Sequence, residues 1–408
     1  MTSPSELQTR LLAALPQHGE TVVREAVKAA RQLGLPLYLV GGGVRDLLMG
    51  RSVKDIDLVV EGDAGPLASA LAAALAGKVT ARSQFGTFKV SALGMELDVV
   101  TARRETYKKP GALPTVSPDA IADDLWRRDF TINAMALRLE PAPTQRLDPT
   151  GGQRDIESKL VRILHDASFQ DDATRMMRAV RYEQRLGFRL EEETEALLRR
   201  DLRMLDTISG DRLRHELLLI FQEEATNLML LRTAELGLLA AVHSGLPDVK
   251  ELTRRLERLA ASLQPTHYVA VLAYSLDDHE REGFIQRLKM PATWAKAVRD
   301  VASARDAAGV LAGERSPAAA YRKLHGLSVE AIQVAASLAP LEGSRHALER
   351  YVNEWRHVRP LLSGRDLERL GLPPGPRIGE MLAALRDARL EGRVHTREDE
   401  EAFVQERR

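Results

Sequence analysis

Leu39–Val60, LVGGGVRDLLMGRSVKDIDLVV, constrains this chain more than any other stretch. Its end, Asp55-Ile56-Asp57-Leu58-Val59-Val60, has the β-branched and apolar tail of a strand. Residues two apart on a strand share a face, so Asp55 and Asp57 converge, as the hard oxygen ligands of a Mg²⁺ ion must. Upstream, Tyr38-Leu39-Val40 reads as a second short strand, and Gly41-Gly42-Gly43 leads from it to a helix predicted near Val44–Met49. Glycine lets backbone N–H groups approach a phosphate, and a helix N-terminus attracts anions. Taken singly, the glycine turn is also an ordinary turn, and the Asp-x-Asp an ordinary solvated strand end. Together, with Arg45 and Asp46 on the intervening helix, they point to metal-dependent chemistry on a nucleotide.

The 408 residues leave room for two or more domains with ample core. Lys+Arg and Asp+Glu are both 58, so no global field announces a nucleic-acid partner, and the basic groups are local instead. They are Arg103-Arg104 with Lys108-Lys109, Arg127-Arg128, and the arginines from Arg175 to Arg189. The absence of cysteine excludes disulfides, a disulfide-linked partner, thiolate metal sites and cysteine nucleophiles, and the ten histidines show no zinc-ligand spacing. MTSPSELQTR lacks the basic-then-apolar pattern of a signal peptide, and no uncharged apolar run reaches membrane-spanning length. The expectation is a cytoplasmic, mostly helical protein without a membrane partner.

Up to about residue 140 strands and helices mix. Strand-like runs occur at Leu37–Val40, Ile56–Val60, Thr87–Ala92 and Met95–Thr101, with a helix over Pro66–Ala76. A loop with Pro110, Gly111, Pro114 and Pro118 precedes Trp126-Arg127-Arg128-Asp129-Phe130. From about Ile156 helical periodicity takes over: Asp171–Leu186, Glu191–Leu202, Arg212–Gln222 and Val249–Leu263. Near the end, Gly371–Pro376 breaks the pattern before a helix at about Ile378–Leu390. The pattern predicts a small α/β head on a long helical body.

Val40-Gly41-Gly42-Gly43-Val44-Arg45-Asp46 followed by Asp55-Ile56-Asp57 resembles the class II tRNA nucleotidyltransferases, the CCA-adding enzymes, which share a polymerase-β-like superfamily with bacterial poly(A) polymerases. Four further segments agree in order: Arg127–Met135, Asp148–Ile156, Asp171–Tyr182 and Gly210–Glu216. The resemblance implies an α+β fold: a nucleotidyltransferase head of mixed sheet and helices over 1–140, a helical neck over 141–230 that reads the base, and a helical body and tail over 231–408 that binds tRNA. It also implies in-line attack by an RNA 3′-hydroxyl on the α-phosphate of ATP or CTP, with two metal ions clamping the attacking and leaving oxygens.

On that resemblance Asp55 and Asp57 are metal ligands, and Asp98, in Glu96–Thr101, is the candidate third carboxylate. Gly41, Gly42 and Arg45 would contact the triphosphate, and Arg128 would reach the nucleotide. Asp172 and Arg175, expected one turn apart on a helix, would read the base. A carboxylate accepts from an exocyclic amine and a guanidinium donates to a ring nitrogen, which suits cytosine and adenine and rejects uracil and guanine. Arg178 and Arg181 continue the spacing around the helix. Helix physics offers a plainer reading of Ser168-Phe169-Gln170-Asp171 as a capping box. The family most often has Glu-Asp where this chain has Asp171-Asp172, which bears on switching between C and A. The Glu105–Ser117 loop, with Tyr107 and Pro110–Pro114, occupies the region linked to the division between CC-adding and A-adding relatives and looks full-length. A poly(A) polymerase reading fits less well, since such proteins tend to carry basic extensions and Glu398–Arg408 is acidic overall. His165-Asp166 lacks the partners of a phosphohydrolase site.

Overall fold

The computed structural model describes residues 4–83, 85–106, 111, 114–259, 263–311, 313 and 316–407. Tyr107, Lys108, Lys109, Pro110, Ala112 and Leu113 of the expected loop lie outside them. The chain divides into two compact units, Met1–Ser209 with Leu236–Leu238 and Gly210–Glu235 with Leu239–Arg408. The residues expected to form the head and most of the expected neck fall in the first unit.

That unit begins with helices α1 (Pro4–Ala14) and α2 (Gly19–Leu33). It continues through β1 (Leu37–Val40), α3 (Gly42–Leu48), β2 (Asp57–Val60), α4 (Ala64–Ala74), β3 (Lys78–Arg82), β4 (Thr87–Ala92) and β5 (Met95–Thr101). A hairpin, β6 (Arg103–Thr106) with β7 (Thr115–Pro118), stands where a loop was expected, and α5 (Ile121–Trp126) follows. Then come β8 (Ala136–Glu140), β9 (Gln145–Leu147), α6 (Gly152–Glu157), β10 (Leu160–Val161), α7 (Ser168–Asp171), α8 (Thr174–Leu186), β11 (Arg189–Leu190) and α9 (Glu192–Arg200).

Seven strands form one sheet in the order β3-β4-β5-β2-β1-β8-β9. Only the β2–β5 neighbours are parallel, and that pairing sets Asp57 opposite Asp98. The antiparallel β4–β5 register sets Lys89 opposite Asp98 in turn. Registered residues share a face, so Asp57, Asp98 and Lys89 form a row across three strands. Val59, two residues beyond Asp57, packs with Tyr38, Val40, Ala102, Ile121 and Leu125. Asp57 therefore lies on the sheet face that α5 covers, and the chain leaving α5 delivers Arg127 and Arg128 to that face. α4 begins at Asp63, whose side chain caps Gly65 N at 2.9 Å, and it buries Leu67, Ala68, Leu71 and Ala72.

The second unit is helical. Ala292–Leu311, Pro317–Leu324, Val329–Leu338 and Glu342–Asn353 enclose Leu311, Tyr321, Leu324, Ile332 and Leu348. A smaller cluster of Leu362, Leu367, Leu372, Leu385 and Val404 holds the last helices together. There the buried Glu400 accepts from Leu361 N, Leu362 N and Arg389. Arg255, which is buried, and Arg258, which is exposed, each bond a backbone carbonyl distant in sequence. Arg255 donates to the Val271 carbonyl at 2.6 Å, and Arg258 to the Ala339 carbonyl at 2.7 Å. Arg254 remains outward, paired with Glu251. Among the described residues no helix is long and apolar enough to cross a membrane.

Candidate active site

The site grows from the row of charges on the sheet. Asp57 is half-buried at the start of β2, and Asp55 precedes the strand, exposed, instead of sitting two residues along it. Burial pushes the Asp57 carboxyl above the usual range, and the like charges of Asp98 and Asp55 push the same way, while Arg128 and Lys89 oppose them. Asp98 Oδ1 lies 3.2 Å from Lys89 Nζ, so the third carboxylate already has a cationic partner. Among the described residues no three carboxylate or imidazole groups form a closed metal-ligand set. What the sheet offers is an open acidic edge at Asp55 and Asp57, which suits a Mg²⁺ ion that completes its shell with phosphate oxygens and water.

Gly41 stands beside this edge with φ +68°, a backbone that L side chains avoid. A Cβ there would lie 2.8 Å from Arg128 Nη1, so only glycine lets the guanidinium come in against the turn. The Gly41 N–H donates to the Met135 carbonyl at 3.2 Å, tying the glycine turn to the segment after Arg128. Gly42 begins α3. Arg45, 4% exposed, points inward: Nη1 donates 2.7 Å to Asn133 Oδ1, and Nε and Nη2 bond Asp46.

Three acids that sequence reasoning gave no role organise the arginines around a shallow cleft lined by Glu105, Arg127, Arg128, Asp129, Asp172, Arg175 and Arg178. Fully buried Asp124 takes Arg127 on Oδ1 at 2.8 Å and Arg128 on Oδ2 at 2.9 Å. Burial alone would raise its pKa, yet the two guanidinium groups hold it below the usual carboxylate range. Glu105 of β6 takes both Arg103, at 2.9 Å, and Arg127, at 3.2 Å. With Arg128 Nη2 on Asp124, its Nε is buried without a hydrogen-bond partner.

Asp129 is the third organiser. Oδ2 accepts 2.9 and 2.6 Å bonds from Arg178, and Oδ1 accepts from Asn133 Nδ2 and Phe130 N. Against a large burial penalty, Arg178 and Asn133 lower its pKa. Tyr182 gathers the rest. Its ring lies 5.3 Å from the Arg45 guanidinium, 5.5 Å from that of Arg178 and 6.0 Å from that of Arg181. Its hydroxyl accepts from Arg178 at 3.3 Å. Arg181 is thus buried against the tyrosine, away from the cleft lining. The Asp148–Ile156 segment buttresses the same region: Gly152 packs so tightly that a Cβ would lie 2.2 Å from the Thr131 carbonyl oxygen, and Asp155 accepts from Thr131 Oγ1 at 2.7 Å.

The expected helix over Asp171–Leu186 is interrupted. α7 ends at Asp171, Asp172 is extended (φ −145°, ψ 101°), and α8 starts at Thr174. Asp172 and Arg175 are therefore neighbours across a helix start, not one turn apart on a helix. The capping box also does not form: Ser168 is the first residue of α7, its N-cap Ala167 has no side-chain bond, and Asp171 faces His165 at 3.6 Å. The cause is local, because the Asp172 carboxylate bonds Thr174 and restarts the helix two residues later. Arg175 is buried and donates to the Arg127 carbonyl at 2.8 Å. The cleft thus brings together Arg128, Asp172, Arg175 and Arg178; Gly41 and Asp57 adjoin it through Arg128, while Arg45 and Arg181 lie behind it.

Known proteins resemble the chain in sequence and in fold. Residues 37–162 match the poly A polymerase head domain, and residues 187–251 match the probable RNA and SrmB-binding site of polymerase A. An A-adding tRNA nucleotidyltransferase of Halalkalibacterium halodurans is 34% identical over 94% of this chain and 92% of its own length. Another A-adding tRNA nucleotidyltransferase, from Geobacter sulfurreducens, is 35% identical over 95% of this chain; the chain spans about half the length of that relative, 47%. Relatives called CC-adding and CCA-adding match at 33% and 31% identity. A solved CCA-adding enzyme in an apo form superposes with a TM-score of 0.85 at 28% identity, covering 98% of this chain and 99% of the other.

Proposed function

Given that the chain belongs to the tRNA nucleotidyltransferase family with a poly A polymerase head, we propose that it transfers a nucleotide to the 3′ end of tRNA without a nucleic-acid template, with ATP and a tRNA ending in CC as its substrates. The observation that carries this reading is the cleft itself. It sets the Asp172 carboxylate beside Arg175, Arg178 and Arg128, and the Arg128 charge also acts on Asp57 of the sheet. The choice of A over CC or CCA rests on the two A-adding relatives, which align along nearly the whole chain. The reaction takes place in the cytoplasm.

Asp55 and Asp57 would hold Mg²⁺, which when bound neutralises charge on the attacking and leaving oxygens. Arg128 meets the phosphates from the cleft wall, and its position is fixed by Asp124 and by the absence of a Gly41 side chain. Asp98, the third carboxylate, lies opposite Asp57 on the adjacent strand and is paired with Lys89. Gly41, Gly42 and Arg45 shape the turn beneath the triphosphate, with Arg45 acting through Asn133. Asp172 accepts from the adenine amino group and Arg175 donates to the ring nitrogen beside it, while Arg178 and Arg181 order the wall behind them. The helical second unit holds the tRNA by shape and phosphate contacts.

Purified protein offered tRNA lacking CCA, ending in C or ending in CC, with each labelled nucleotide in turn, is expected to add a single A to the last of these. Addition of C to the shorter tRNAs would move the assignment to CCA or CC addition, and long A tails would make the protein a poly(A) polymerase. Arg175→Ala is expected to loosen rejection of UTP and GTP by about tenfold to a hundredfold in kcat/KM, the value of one or two lost hydrogen-bond discriminations. Unchanged selectivity would place base reading elsewhere.

A further inference from the structure

Both base-reading side chains are fixed by the protein. Asp172 Oδ1 accepts from Thr174 N at 3.0 Å and from Thr174 Oγ1 at 2.7 Å. Arg175, 6% exposed, donates from Nη2 to the Arg127 carbonyl at 2.8 Å and from Nη1 to the Ser168 carbonyl at 3.3 Å. The N–H bond to Asp172 is what an Asp before a helix ordinarily makes. The hydroxyl bond is additional, and it comes from a side chain only 6% exposed whose β-branched χ1 is stiff. Two bonds on one oxygen oppose rotation of the carboxylate, and two backbone carbonyls oppose displacement of the guanidinium.

Adenine and cytosine present the same order of amino donor and ring-nitrogen acceptor, but a purine carries that edge farther from its ribose than a pyrimidine does. With sugar and phosphates anchored on the sheet, a reader that accepts both bases must shift between them. We propose that Thr174 is a positioning residue that locks Asp172 and thereby sets the preference for ATP over CTP on a tRNA ending in CC. This inference rests on the nucleotidyltransferase reading above and deepens it, because it assigns base selectivity to a residue that touches Asp172 and not the nucleotide.

The test is steady-state kcat/KM for ATP and for CTP on tRNA ending in CC, for the full chain, Thr174→Val and Thr174→Ser. Thr174→Val keeps the β-branched shape and removes the hydroxyl; it is expected to lower the ATP/CTP ratio by about tenfold, the worth of one lost hydrogen bond to a charged group. Thr174→Ser keeps the hydroxyl and is expected to restore the ratio. A residue that served only as helix start would reduce both nucleotides equally, so an unchanged ratio in Thr174→Val overturns the proposal. If that variant does not fold, Thr174→Ala is read by the same ratio. The same wild-type protein on tRNA lacking CCA tests A-only addition separately, since C addition there overturns the A-adding reading and leaves the ratio on CC-ended tRNA to decide the role of Thr174.

Discussion

Asp57→Ala lowers incorporation of A into tRNA ending in CC by at least about a thousandfold, while tRNA affinity stays within about twofold. The reason is placement. Asp57 is the carboxylate at which the parallel β2–β5 register, the glycine turn and Arg128 meet, so no neighbour can substitute for it. Asp98 is paired with Lys89 and Asp55 is exposed ahead of the strand. Single-turnover extension with labelled ATP, beside filter binding of the same tRNA, measures both quantities; retained extension would sink the metal assignment. Asp57→Asn adds a second readout. A carboxyl whose folded pKa is raised favours the fold at pH values below its unfolded pKa, and loses that contribution as pH rises through the folded value. With divalent ions chelated, Asp57→Asn is therefore expected to melt above the wild type at neutral pH, and to match it under acid conditions.

Asp129→Ala costs about 3 kcal/mol of stability, because it strips the partner from Arg178 and a hydrogen bond from Asn133 at a buried position. Activity falls with it, since Asn133 also receives Arg45 and Arg178 lines the cleft. Chemical denaturation resolves the loss. The pH dependence supplies the sign: Asp129 and Asp124 both titrate below the ordinary carboxylate range, so their contribution is present above the unfolded pKa and disappears as pH falls through the lowered one. Wild-type stability should drop on acidification toward that region, and Asp129→Asn should flatten part of the drop. A denaturation curve for Asp129→Ala that coincides with wild type would contradict the network.

The placement of several candidate residues was readable from residue order. The glycine turn, Asp57 and the arginines of Arg175–Arg181 are spaced by backbone geometry that sequence encodes directly. The fold's main strands were legible for the same reason: β1, β4 and β5 fall where apolar runs predicted them. Other elements carried no such signal. β3 is exposed at every residue, and β8, Ala136-Leu137-Arg138-Leu139-Glu140, is built from helix formers that the sheet overrides. The break at Asp172 was invisible because helical periodicity runs straight through it; only the Thr174 hydroxyl and N–H, competing for the carboxylate, reveal it. The acid organisers were missed because Asp124 and Glu105 look like surface residues until tertiary contacts pair them with arginines.

The ring of Tyr182 has a consequence for anyone dissecting the cleft by substitution. Three guanidinium groups, from Arg45, Arg178 and Arg181, rest on one side chain, and one of them also bonds its hydroxyl. Removing any of them changes the field and the packing felt by the other two. Energies measured one arginine at a time will not sum to those of double variants. Only a cycle that includes Tyr182→Phe and Tyr182→Leu can apportion them, separating the hydroxyl from the aromatic face. A change at Tyr182 thus retunes all three cations at once.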